Sequence, residues 1–295
     1  MLAVSSRFLT LSIIAPLFLC TACSNSNQPT NSATNSSTNS ATSQTPSETT
    51  TEAETANTTE PTGDNSADLP NYIVAVENEY KPFSFRDENA QLIGYDVDIL
   101  DAIAKDQNFT VTYIPAPFSE KFQDLKAKKY DIVAAGTSIT DERKKTMDFS
   151  NPYHDSYQAV IALPNQPVIN NFENLIEHTI AVEPNTISDK FLKETIKINP
   201  SNIIPVTTPF TAIEKVIQNQ ADYAISDSPV LQYYGQQFQD LDLKVYIDKS
   251  SEPDHYGFVV AKNRDDDLLQ KINTGLNNIK ADGTYQAINQ KWFGQ

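Results

Sequence analysis

Between residues 70 and 293, short apolar runs alternate with stretches in which apolar residues recur every three or four positions. Runs of the first kind predict strands, and stretches of the second predict amphipathic helices. Strands are expected at Tyr72–Val76, Thr110–Ile114, Ile132–Ala135, Ala159–Leu163, Thr179–Val182, Ile203–Val206, Ala224–Ile225, Val245–Ile247 and Gly257–Ala261. Val97, Leu100, Ile103 and Ala104 fall on one face of a helix over Asp96–Asp106, and Phe118, Phe122 and Leu125 mark another. Helices also follow near Ser188–Thr195, Thr211–Gln218, Ser228–Phe238, Asp265–Lys280 and Thr284–Trp292. Strands alternating with helices predict an α/β fold.

The stretch from Asp131 to Tyr153, DIVAAGTSITDERKKTMDFSNPY, carries the most chemistry. It opens as an uncharged run, as a strand covered on both faces would. Gly136 and Ser138 follow where the strand should end, and Thr140 is a good helix N-cap ahead of Asp141 and Glu142. Arg143 is out of place there, because a cation near a helix N-terminus is disfavoured unless an anion joins it. Backbone N–H groups, the Ser138 hydroxyl and a guanidinium together would make a carboxylate receptor. A weak echo occurs later. Both KYDIV (129–133) and QADYAI (220–225) follow an amphipathic helix and announce a buried strand with polar residues after it, Ser226 and Asp227 in the second case. Ligands of open α/β sheets bind outside such strand ends, so two facing units predict a cleft between lobes.

The segment AAGTSITDERKKTMDFSNPY resembles the signature of the bacterial polar amino-acid-binding proteins of ABC importers, the solute-binding protein family 3, and the glutamine and lysine/arginine/ornithine receptors most of all. VAVENEYKPFSF (74–85), GYDVDILDAIA (94–104), QADYAISDSPVLQYY (220–234), YGFVVAK (256–262) and DGTYQAINQKWFG (282–294) fall in family order at family spacing, so the likeness covers residues 70–295. It implies a two-lobed periplasmic-binding-protein fold of type II, each lobe a doubly wound sheet flanked by helices. Lobe 1 would be 69–158 plus 254–295 and lobe 2 159–253, with a two-strand hinge near 157–162 and 253–258.

The resemblance also implies roles. Gly136, Ser138 and Arg143 would take the ligand carboxylate, and Asp227 its ammonium. By its residues alone, Asp227 before Ser-Pro is equally an ordinary helix cap. Tyr80 and Phe118 would sandwich the ligand side chain, whose tip would meet Glu77. Thr186 reads as a cap on its own and as a contact to the ligand carboxylate by resemblance. Asn185 and Ile187 depart from the family's Gly-Thr pattern. Glu183 stands where the glutamine receptors carry a base, and Ser226 where they carry His. These departures leave the general chemistry in place and loosen the link to glutamine. With acids at 77 and 183, the expected ligand is a basic or amide amino acid, and Glu and Asp should be rejected.

Residues 1–23 read as an export signal: Arg7, an apolar core over Phe8–Cys20, and Ala22 before Cys23. Ala22-Cys23 resembles a lipobox, with Cys20 where Leu is usual, and implies lipidation of Cys23. Residues 24–68 predict a disordered linker, because 30 of these 45 residues are Ser, Thr, Asn or Gln and none is aromatic or branched aliphatic. No Cys lies beyond Cys23, so no disulfide is expected in the body.

A formal charge of −16 argues against nucleic acid as a partner. His154, His178 and His255 lack metal-ligand spacing, and neither GxSxG nor a P-loop nor GxGxxG occurs. No metal or cofactor is therefore expected. The reading is an exported, lipid-anchored, monomeric and non-catalytic receptor that hands a free amino acid to an ABC importer permease at the periplasm or cell surface. The alternative is an enzyme on the same fold resembling cyclohexadienyl dehydratases, which act on prephenate or arogenate. No acid–base pair at diagnostic spacing supports it.

Overall fold

The computed structural model describes residues 69–294. The export signal expected at 1–23, with Cys23, and the linker expected at 24–68 lie outside the described residues. The chain opens with β1 (Asn71–Val76), then a ribbon of short strands, β2 (Glu79–Tyr80), β3 (Ser84–Arg86) and β4 (Leu92–Ile93). Helix α1 (Tyr95–Asp106), strand β5 (Thr110–Pro115), helix α2 (Phe118–Lys126), strand β6 (Ile132–Val133), the one-turn helix α3 (Asp141–Lys144) and strand β7 (Met147–Phe149) follow. With the late strand Val259–Ala261, these strands form a five-stranded sheet in the order β5-β1-β6-(259–261)-β7. The pairs β1–β5 and β1–β6 are parallel, and the late strand runs antiparallel to both neighbours.

Strand β8 (His154–Ser156) leaves this lobe, and β9 (Gln158–Ala162) enters the second. The second sheet also holds β10 (Ile180–Val182), β11 (Ile203–Pro205), β12 (Tyr223–Asp227) and β13 (Lys244–Ile247), in the order β11-β10-β12-β9-β13. Its helices are α4 (Ile187–Lys190), prolonged by a π-helical turn over Phe191–Ile196, α5 (Pro209–Ile217) and α6 (Ser228–Gln237). The chain returns through β14 (Asp254–Tyr256) and β15 (Val259–Ala261), the late strand of the first sheet, and ends in α7 (Leu268–Ala281) and α8 (Thr284–Phe293).

Strands β8 and β14 pair antiparallel, His154 with Tyr256 and Ser156 with Asp254, and form the two-strand link between the lobes. The first of these strands lies earlier than the expected 157–162. The apolar run there is β9, buried throughout in the second sheet, whereas the link is the polar His154-Asp155-Ser156. The helices form where the period-3.6 stripe predicts. Val97, Ile99, Leu100, Ile103 and Ala104 of α1 are buried, and Ala212, Ile213 and Val216 of α5 are buried. Burying such a stripe removes roughly 1.5–3 kcal/mol of unfavourable apolar exposure per large side chain, which is what seats each helix on its sheet.

Candidate functional site

The C-terminal ends of β1, β6, β10 and β12 face one partly open cavity. Glu77, Tyr80, Phe118, Gly136, Ser138 and Arg143 line it from one lobe, and Glu183, Thr186 and Asp227 from the other. All eight residues expected to bind ligand therefore share one cleft, and Glu183 joins them.

Thr140 caps α3 by accepting the Arg143 N–H at 3.1 Å. The Arg143 side chain then doubles back, and its Nη1 donates to the Ser138 carbonyl at 3.0 Å. Its guanidinium carbon lies 5.7 Å from the Phe118 ring centre and 5.4 Å from that of Phe122. Among the described residues it has no salt-bridge partner. Burial pulls its pKa down, opposed by the carboxylates of Asp227 and Asp254. A half-buried cation with one neutral hydrogen bond and two ring faces suits an incoming anion.

Asp227 precedes α6 but makes no side-chain cap to it. The capping role that its sequence context also allowed is not taken. Instead Oδ2 accepts from the Tyr80 hydroxyl at 2.5 Å and Oδ1 from Ser156 at 3.4 Å. The Tyr80 and Tyr256 hydroxyls lie 3.2 Å apart, which completes a network between the lobes. Burial lifts the Asp227 carboxyl to about 6, and the hydrogen bond from Tyr80 opposes the shift.

Gly136 is positioned from beneath. Its N–H donates to Asp96 Oδ2 at 2.8 Å, so that donor is committed to the protein. Tyr153 donates to the other Asp96 oxygen at 2.8 Å. Asp96 is fully buried, and desolvation raises its carboxyl to about 7. A side chain at 136 has no room, because a Cβ there would lie 2.6 Å from the Tyr80 ring, and φ is +50°. The Tyr80 ring stacks on Phe83 with centroids 5.3 Å apart. Thr186 is a helix cap: its hydroxyl accepts the Asp189 N–H at 3.1 Å and donates to the Glu183 carbonyl at 2.8 Å.

Glu77 is buried and ion-paired to Lys121, a lysine with no solvent exposure. Its charge is therefore answered within the protein, which the expectation of a bare carboxylate at the ligand tip did not include. Sequence reasoning missed Lys121, although a signal existed: position 121 is three residues after Phe118 and four before Leu125, on the stripe that marks α2 as amphipathic. Asp96, Tyr256 and Ser156 were also missed. Among the described residues, no group of three or more His, Cys, Asp or Glu is arranged to hold a metal.

Known proteins resemble this chain over about three quarters of its length. The arginine-binding periplasmic protein of Mannheimia haemolytica is 32% identical over 225 residues, 75% of this chain and 91% of that protein. The solved structure of an ancestral arginine-binding protein bound to glutamine is 32% identical, with a TM-score of 0.71, and covers 76% of this chain and 98% of that one. One of an ancestral arginine-binding protein bound to arginine is also 32% identical, with a TM-score of 0.69 and the same coverage. The type II periplasmic-binding-protein fold is thus the fold of this chain. Residues 72–295 match the model of one family, and the chain belongs to the bacterial extracellular solute-binding proteins, family 3.

Proposed function

We propose that the protein is a non-catalytic receptor for a basic or amide amino acid, which it delivers to an ABC importer permease. One observation carries this reading: Arg143 and Asp227 line one cavity from opposite lobes, a cation without a salt bridge among the described residues facing an anion that caps no helix. An α-amino acid is the complementary zwitterion. Its carboxylate docks on Arg143 and the Ser138 hydroxyl, and its ammonium on Asp227, with Thr186 holding the second-lobe loop in place. The ligand then bridges the lobes, so the closed state binds it better and the population shifts toward closure.

Residues 69–158 with 254–295 form one lobe in this reading and 159–253 the other, and the distribution of strands between the two sheets supports it. Tyr80 and Phe118 offer ring surfaces to the ligand side chain, and an anionic side chain finds no second unpaired cation beside Arg143 among the described residues lining the cleft. The relatives are named as arginine-binding proteins, and one solved structure holds glutamine, which supports the same two ligand classes. Cys23 carries the lipid that tethers the monomeric receptor outside the cytoplasm, and residues 24–68 form the spacer.

A thermal-shift screen of the common amino acids tests the reading. A ligand at 100 times its Kd adds about 2.7 kcal/mol of stability, or roughly 5–11 °C in Tm for a body of this size. Arginine, lysine, histidine or glutamine should give such a rise. Release of product from prephenate or arogenate would instead support the dehydratase alternative.

A further inference from the structure

Two carboxylates, Glu77 and Glu183, line the cavity that holds Arg143 and Asp227. They are not equivalent. Lys121 does not line the cavity. It lies behind Glu77, fully buried, paired to Glu77 Oε1 and 4.6 Å from the centre of the Phe118 ring. A ligand therefore meets Glu77 as half of a neutral pair. Glu183, by contrast, has no salt-bridge partner among the described residues. Burial, then Glu77, push its pKa upward, with Asp227 adding to the rise and Lys121 opposing it.

A carboxyl group in this setting has two useful forms. As a carboxylic acid it offers one donor and an acceptor, which match a side-chain amide. As a carboxylate it pairs with an ammonium or guanidinium. We propose that Glu183 reads the tip of the ligand side chain by exchanging one proton, staying a carboxylic acid against an amide and becoming a carboxylate against a cation, with Lys121 as the positioning residue that keeps Glu77 out of the exchange. The proton passes from Glu183 to solvent as the cation arrives, so the charge enclosed by the cleft does not change. This inference rests on the receptor reading above.

The groups that face Glu183 are Glu77 at the end of β1, Lys121 on α2, Tyr80 on β2, Arg143 on α3 and Asp227 at the end of β12. Asp227 meets the ligand ammonium whichever side chain is bound, so its own titration cancels when two ligands are compared.

Calorimetric titration of the full protein with arginine and with glutamine, near pH 7.5 in two buffers of different ionisation enthalpy, counts the protons released. Arginine should release close to one proton more than glutamine. Its affinity should rise by up to about tenfold per pH unit below the Glu183 pKa, and glutamine affinity should lack that added slope. Glu183→Gln should erase the difference in proton count and weaken arginine more than glutamine. Lys121→Met removes the opposing cation and should move the arginine pH profile upward. Glu77→Gln with Lys121→Met removes both charges and should bring the profile back. Equal proton counts for the two ligands, or a Glu183→Gln variant that keeps the arginine slope, would overturn the proposal and leave the receptor reading standing. Failure of both ligands to bind the wild type would overturn the receptor reading and this inference with it.

Discussion

Replacing Arg143 with alanine separates its contribution to binding from its contribution to folding. In the folded protein the guanidinium makes one side-chain hydrogen bond among the described residues, to the Ser138 carbonyl, and lies near two phenylalanine rings. A hydrogen bond to a charged group is worth about 1.5–3 kcal/mol and each ring contact about 0.5–1 kcal/mol. The desolvation of an unpaired guanidinium offsets most of this. Arg143→Ala should therefore change stability by about 1 kcal/mol, or roughly 2–4 °C in Tm. Binding is a different matter, because the ligand carboxylate would lose the only cation among the described residues that line the cleft. Such a loss costs roughly 2–5 kcal/mol, about 30- to 4000-fold in Kd at tenfold per 1.4 kcal/mol. Calorimetry on both proteins, with circular dichroism melts alongside, measures the two effects. A folded Arg143→Ala variant with unchanged affinity would refute the carboxylate assignment.

Three other perturbations follow from the structure. Lys121→Met strands the Glu77 carboxylate in the interior and should destabilise the protein by roughly 3–5 kcal/mol; thermal melts should show Glu77→Gln recovering much of that loss in the double variant, and a single variant as stable as wild type would contradict the buried pair. Burial holds the Asp96 carboxyl at about 7 when folded, against an ordinary value of 3.8. Its stabilising contribution is thus complete below the unfolded pKa and lost as pH rises through the folded one. Tm should fall between about pH 4 and 7, and Asp96→Asn should flatten part of that fall; an unaltered slope would place the titration elsewhere. Cys23→Ser should release the protein from membranes in soluble or uncleaved form, and a cleaved variant that still sediments with membranes would rule out the lipid anchor.

The large elements were legible because each repeats its own period. The stripe Val97, Leu100, Ile103 and Ala104 and the uncharged run of β9 needed no distant partner to be read. The ribbon β2–β4 was not legible, since strands of two or three residues carry no period. The link strand β8 was misplaced by a few residues because His154-Asp155-Ser156 has no apolar signal, while β9 beside it has a strong one. In the site, Arg143 announced itself by standing against the helix dipole. Lys121 and Asp96 did not. Each looks like a solvated helix charge until its partner is known, and those partners, Glu77 and Gly136, lie 44 and 40 residues away. Long-range compensation of a buried charge leaves little trace in the local sequence.

In the proposed receptor, one cleft holds a zwitterion between Arg143 and Asp227 and selects its side chain against negative charge. Calorimetric titration of the protein with arginine, glutamine, glutamate and aspartate tests it most directly. Arginine or glutamine should bind with one-to-one stoichiometry, Asp227→Asn should weaken whichever binds, and glutamate and aspartate should give no heat of binding. Tight binding of glutamate or aspartate to the wild type, or an Asp227→Asn variant that binds as well as the wild type, would contradict it.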